Sequence, residues 1–452
     1  MLALPGMSFA LSPEKSIEQY VLNDWNNIDG LPQNTVTSIA QTADGYLWLG
    51  TLEGLVRFDG KQFTLLNTRT HPAFTHNFVV SLLTDRLDRL WIATSGGGLL
   101  LMRKGHYTLF GPEHGLPSAQ VSTVFEDIRG KIWIGTDGGG LARLNENSMR
   151  FDTPFTDLGS SVRTIAESKS GLWVGTESGL SLISREGQVR RFTTEQGLSH
   201  NSIRALLPAR SGVLWVSNDL GVDVMELGKF TGIDYQANRG DDVVVAMHQD
   251  RDGNVWLGSD GGGLLRWKNN ELSSFTTAQG LSDNSVLALF ESNDGSLWVG
   301  TNLGGVNRLK DGRITTITSA EGLANDFVRA VYEDSKGALW IGTQGGGLMH
   351  YQHGKYRYFT TADGLPDDTI FAITEDASGA LWVGTDYGLA RLQGDSFITA
   401  EAPGLSDDTV LALLSASDGT LWVGTYAGGL NNLSEGKFTA LTTEDGLANN
   451  TI

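Results

Sequence analysis

Apolar and polar positions along this chain alternate in short runs of strand type, and one recurring run breaks the alternation at regular intervals. An apolar residue, a tryptophan, another apolar residue and then usually Gly-Thr return about every 42 residues, as in Leu47-Trp48-Leu49-Gly50-Thr51 and Leu381-Trp382-Val383-Gly384-Thr385. The anchoring residues are Trp48, Trp91, Trp133, Trp173, Trp215, Trp256, Trp298, Trp340, Trp382 and Trp422, with Trp25 and Trp267 outside the series. A period of this length marks an array of one supersecondary unit, so function belongs on surfaces that the array creates.

Each unit predicts four short strands. Around Trp382 they are Thr369 to Thr374, a turn at Asp376-Ala377-Ser378-Gly379, Leu381 to Gly384, a glycine turn at Asp386-Tyr387-Gly388, Leu389 to Leu392, and a last strand from Ser396. Turn residues separate the β-branched and aromatic runs, and no helical apolar period is sustained, which predicts an all-β fold. The tryptophan strand is apolar on both faces, as in a sheet covered on both sides. A β-propeller blade meets that condition: the ring fills the space between blades, and the glycine after it allows a neighbouring backbone to come close. The tryptophans are therefore expected in the core.

The strings Gly364-Leu365-Pro366-Asp367-Asp368-Thr369, Glu375-Asp376-Ala377-Ser378-Gly379 and Leu381 to Leu389 resemble the two-component regulator propeller repeat, and the resemblance runs from about Tyr20 onward. It implies the extracytoplasmic, periplasmic sensor region of a membrane-bound hybrid histidine kinase or diguanylate cyclase, commonly two seven-bladed propellers ahead of a membrane span and the catalytic output. The expected partners are a small polar ligand, with carbohydrate as a candidate, and a second copy of the full-length protein in a homodimer. Some units depart from the pattern: Ala93 replaces the glycine, Ser217-Asn218 replace Gly-Thr, and the Gly-Leu opening is lost near Phe74 and Asp241.

Ten tryptophan cores accompany eleven outer-type strands, the surplus one being Gln19-Tyr20-Val21-Leu22. An N-terminal outer strand can complete a last blade and remove the open edges. The expected organisation is a leader over residues 1–16, a seven-bladed ring over 17–310 and three blades of a second, incomplete ring over 311–452. Residues 1–10 end in small residues like the tail of a signal peptide, and Glu444 to Ile452 matches the opening of a further repeat, so the expectation is a piece of a longer protein. The flank near Trp422 should then expose an apolar blade face.

Composition narrows the function classes. Lys and Arg number 33 against 52 Asp and Glu, a formal charge of -19, which disfavours a nucleic-acid partner. The lack of cysteine excludes disulfides and thiolate chemistry. No run of 18 apolar residues is present, so a membrane would be reached only through a further segment. Phosphate-binding and hydrolase motifs are missing, no cofactor is implied, and His350 with His353 or His71 with His76 lack further ligands for a metal. Asp250-Arg251-Asp252-Gly253 and the glycine triplets read as turns. The alternative to a sensor is a propeller lyase or hydrolase with its site in the channel, since fold alone does not separate the two.

For a ligand, the loops before the inner strands and those between second and third strands should emerge together at one channel mouth. The first class carries Asn34, Asn77, His200 and Asn284, and the second Asp137, Asp219 and Asp260, among others. Within the complete ring, Asn34, Asn77, Asp137, His200, Asp260 and Asn284 are the candidate binding residues.

Overall fold

The computed structural model describes residues 11–12, 15, 17–233, 242–268, 271–311, 318–319, 322–352, 355–400, 404–434 and 436–452. They form ten four-stranded antiparallel sheets in two compact units, divided between Arg313 and Ile314. Blades 1 to 6 span Val36–Leu66, Val79–Phe110, Val121–Phe155, Val162–Phe192, Ile203–Ile233 and Val243–Phe275. Blade 7 combines Val286–Lys310 with the N-terminal strand Val21–Trp25, and blades 8 to 10 of the second unit span Val328–Phe359, Ile370–Thr399 and Val410–Leu441.

One blade shows how the sequence builds the unit. In blade 1 the strands are Val36–Gln41, Leu47–Thr51, Gly54–Phe58 and Phe63–Leu66, and the tryptophan strand is buried along its whole length. The Thr51 hydroxyl donates to the Gly54 carbonyl at 2.8 Å and closes the turn to the third strand, which explains the Thr after each Trp-x-Gly. Several outer strands run into a single 3-10 turn whose ends are tied by a reciprocal cap, Thr193 with Gln196 and Thr276 with Gln279. The residue that caps its end, Gly197, sits at φ +100, a conformation that favours glycine.

Trp48 through Trp382 in the series are buried, while Trp422 is only partly so. Each ring packs on the next blade: Trp133 meets Val162 and Val174, and Trp382 meets Val410 and Val423. The glycine two residues after the tryptophan lies against the inner strand of the next blade, so a Cβ on Gly135 would stand 2.8 Å from the Val162 carbonyl. Where serine replaces it, the buried Ser217 hydroxyl donates to the Val244 carbonyl, and Asn218 bonds Asp223 at 2.8 Å in place of the threonine contact. Phe74 fills the space that Leu31 or Leu116 fills in other repeats. The departure near Asp241 and residues 1–10 fall outside the described residues.

In the first unit, neighbouring inner strands pack side by side, and that of blade 7 packs beside that of blade 1. Gly300 of blade 7 faces Val36 of blade 1. Val21 to Trp25 pairs antiparallel with Val306 to Lys310, register Val21 to Lys310, so the first strand of the chain is the outer strand of the seventh blade. Trp25 stacks on Trp298 at 5.4 Å across this join. In the second unit Leu414 and Val331 are 64% and 60% exposed, apolar positions on the faces of blades 10 and 8.

Candidate functional site

The loops between second and third strands and those entering inner strands interlock at one end of the ring. Gly263 N donates to the Asn284 carbonyl at 2.7 Å and Gly305 N to the Asn34 carbonyl at 3.0 Å, each from one blade to the next. This end, the upper mouth, carries all six candidate residues. Their side chains have different work. Asn34, Asn77 and Asn284 accept from the backbone N–H of Asn27, Thr68 and Thr277 at 2.8 to 3.0 Å, bracing the turn before the inner strand. Asn201, rather than His200, takes that position in blade 5, with 2.9 Å to Thr194 N. His200 Nδ1 instead accepts from Ser202 N at 3.1 Å. Asp137 is exposed, and Asp260 accepts from Ser285 of the next blade, which brings Asp260 beside Asn284.

The concentration of chemistry lies where blades 4 and 5 meet, around His200. Each inner strand carries a bulge near its start, visible between Val162 and Thr164 and between Ile203 and Ala205. A bulge re-aims the extra residue. In blades 1 and 3 that residue is Thr37 or Ser122, whose hydroxyl reaches the carbonyl of Val79 or Val162 on the next inner strand. In blades 4 and 5 it is Arg163 and Arg204. Arg163 donates to Ser202 Oγ at 2.7 Å, and Arg204 pairs with Asp219. Burial opposes the Asp219 charge, but the hydrogen bonds from Arg204 and Ser202 outweigh it and hold the carboxyl below its ordinary value. The loop is anchored from beneath by the buried Asp223, which accepts from Ser199 N at 2.9 Å and from Asn218 Nδ2.

Two guanidiniums, an imidazole, a hydroxyl and an ionised carboxylate are thus fixed on neighbouring blades, a set suited to hydrogen-bond a polar or acidic ligand from several sides. Asp219 belonged to the expected loop class, but Arg163, Ser202 and Arg204 did not. The signal that finds them is basic residues at a repeat position held elsewhere by Thr37, Val80 and Ser122.

The histidines set aside as metal ligands are engaged structurally. His71 packs on Tyr107 at 4.4 Å, His76 Nδ1 accepts from Phe78 N, and His350 packs on Trp340 at 4.4 Å, where burial lowers its pKa. His353 lies outside the described residues. Among the described residues no group of three or more His, Cys, Asp or Glu is placed to hold a metal, and no helix is long and apolar enough to cross a membrane.

Four-stranded blades packed around a common axis define a β-propeller. The chain carries the repeats of the two-component regulator propeller family, whose model matches residues 30–53, 115–138, 238–261, 280–303, 322–345, 364–387 and 404–427. The fold is similar to that of the extracellular domain assigned to the hybrid two-component system BT3049 of B. thetaiotaomicron, at 20% identity and TM-score 0.57, covering 96% of this chain and 68% of that one. The extracellular domain assigned to system BT4673 of the same organism gives 20% identity and TM-score 0.53 over 96% and 62%. Virginiamycin B lyase from Staphylococcus aureus aligns with 64% of this chain and 99% of its own at 13% identity and TM-score 0.52, a likeness of fold alone. Histidine kinase P4 of Formosa agariphila is 30% identical over 98 residues, which is 20% of this chain and 7% of that protein.

Proposed function

We propose that this chain is the ligand-sensing, extracytoplasmic propeller region of a membrane-bound signal-transduction protein, and that it is itself non-catalytic. The repeats and the two extracellular domains of similar fold support the setting, in a periplasm or its equivalent. The observation that carries the ligand reading is the cluster at the join of blades 4 and 5, where Arg163 and Arg204 occupy bulge positions that the other blades of the first unit give to small or apolar residues. On a chain of net charge -19, two adjacent guanidiniums make a local site for a polar ligand bearing acidic or hydroxyl groups. An acidic carbohydrate fits that chemistry. Signalling follows if the ligand favours one conformation of the propeller over another and the bias reaches an output domain of kinase or cyclase type.

A thermal-shift screen of neutral and acidic sugars and small dicarboxylates tests this. A ligand should raise the melting temperature of the wild-type protein and not that of Arg204→Ala. An equal rise in both, or turnover of the compound, would count against the reading.

A further inference from the structure

Several of the series tryptophans are served from two sides. The indole N–H is held by a turn side chain, as Trp133 is by Asp127 at 2.9 Å and Trp340 by Asp334 at 2.9 Å. In blades 3, 7 and 9 the ring face is covered by the guanidinium opposite on the third strand: Arg143 over Trp133 at 5.6 Å, Arg308 over Trp298 at 5.6 Å and Arg391 over Trp382 at 5.5 Å. At Trp215 both partners are replaced. The turn residue six before it is Ala209, which offers no acceptor, and the residue opposite is Val224.

The consequence is a cavity. Between blades 5 and 6 it measures about 760 Å³, against about 180 Å³ at the corresponding place beside Trp133, where Arg143 intrudes. Trp267, one of the tryptophans outside the series, stands across it from Trp215 at 5.8 Å and 73°. In the smaller cavity the corresponding residue is Ile183. The wall also presents the carboxylates of Glu226 and Asp252. Asn254, only 2% exposed, also lines the cavity, but its Nδ2 donates to the Leu11 carbonyl at 3.1 Å and to Asp250 Oδ2 at 2.7 Å, so its amide is engaged away from the cavity. Lys268 is the one cation in the described lining. Two carboxylates beside an aromatic wall call for a ligand that brings donors and positive charge.

We propose that this cleft binds an organic cation of the guanidinium class, its charge and donors on the carboxylates of Asp252 and Glu226, beside the Trp267 ring, and its stem against Val224. The site is on the side of the ring away from the upper mouth and does not depend on the sensor reading. A free small molecule and an arginine side chain of a peptide share this chemistry.

Titration calorimetry of the described chain with L-arginine methyl ester, the tripeptide Gly-Arg-Gly and the neutral citrulline methyl ester tests it. At least one arginine probe should bind about tenfold more tightly than the citrulline ester, a difference of about 1.4 kcal/mol. Binding by the ester alone identifies a free small molecule, and tighter binding of the tripeptide a peptide side chain. Val224→Arg should fill the cavity with the chain's own guanidinium and lower affinity at least tenfold. Glu226 is exposed, so Glu226→Gln keeps the fold and should weaken binding about threefold even if Val224→Arg fails to fold. No saturable binding of either arginine probe, equal affinity for the citrulline ester, or unchanged affinity in Glu226→Gln would overturn the proposal.

Discussion

Substituting Gly300 by alanine tests whether the first unit is a closed ring, because this glycine touches a residue 264 positions away in sequence. A Cβ there would lie 2.8 Å from Val36 Cγ1 and 2.8 Å from the Val36 carbonyl oxygen. Val36 is fully buried, so neither its side chain nor its backbone can turn aside into solvent. Forcing one methyl into such a contact costs roughly 1–3 kcal/mol, and the lost flexibility of the unfolded glycine returns about 0.4–1 kcal/mol. The net expectation is a loss of about 1–2 kcal/mol, read as a fall of roughly 0.3–1 M in the urea midpoint of tryptophan fluorescence. Gly232→Ala is the control, since its nearest atom, Asp223 Oδ1, is 3.7 Å away, and it should stay within about 0.5 kcal/mol of wild type. A Gly300→Ala protein that unfolds like the control would mean that blade 7 does not pack on blade 1.

The N-terminal strand offers a second test: with no cysteine in the chain, Val21→Cys with Lys310→Cys, a facing pair, should form one intramolecular disulfide on oxidation, and free thiols or cross-linked dimers by mass spectrometry would contradict the pairing. Ser217→Ala should remove the buried bond to the Val244 carbonyl and leave that acceptor unpaired, at a cost of about 1–3 kcal/mol in chemical denaturation, and a neutral result would refute the role given to this serine. At Asp376 burial opposes the charge, but hydrogen bonds from Ser378, the Trp382 indole and the Ala380 amide outweigh it and hold the pKa at about 2, below the ordinary 3.8. A depressed carboxylate stabilises above its unfolded pKa and loses that contribution as pH falls through the folded one. Asp376→Asn should therefore be less stable than wild type at pH 7 by about 1 kcal/mol, the site being only partly buried, with the gap closing towards pH 2. A gap independent of pH would contradict this.

The repeat is legible in sequence because its physics is local. Leu-Trp-Leu-Gly-Thr reports a strand buried on both faces, a close backbone approach and a hydroxyl that closes the next turn, and each is found as a contact in the structure. The candidate site was only partly legible. Asn34, Asn77 and Asn284 stand out as polar loop residues, yet the same polarity serves to cap the preceding turn, and composition does not distinguish the two uses. Arg163 and Arg204 were hidden for the opposite reason. They sit inside segments that read as strand, and only the bulge, a property of pairing rather than of residue type, turns them towards the neighbouring blade. The cavity at Trp215 comes from what is lacking, Ala209 and Val224 where blades 3 and 9 carry a carboxylate and a guanidinium, and becomes visible once opposite residues on adjacent strands are known.

Hydrogen–deuterium exchange with and without a ligand found in the thermal-shift screen tests the location of sensing most directly. The account predicts slower exchange in peptides covering residues 160–166 and 199–206, which hold Arg163, His200, Ser202 and Arg204. Those same peptides exchanging unchanged, with protection confined to other loops or to the cleft beside Trp215, would contradict it.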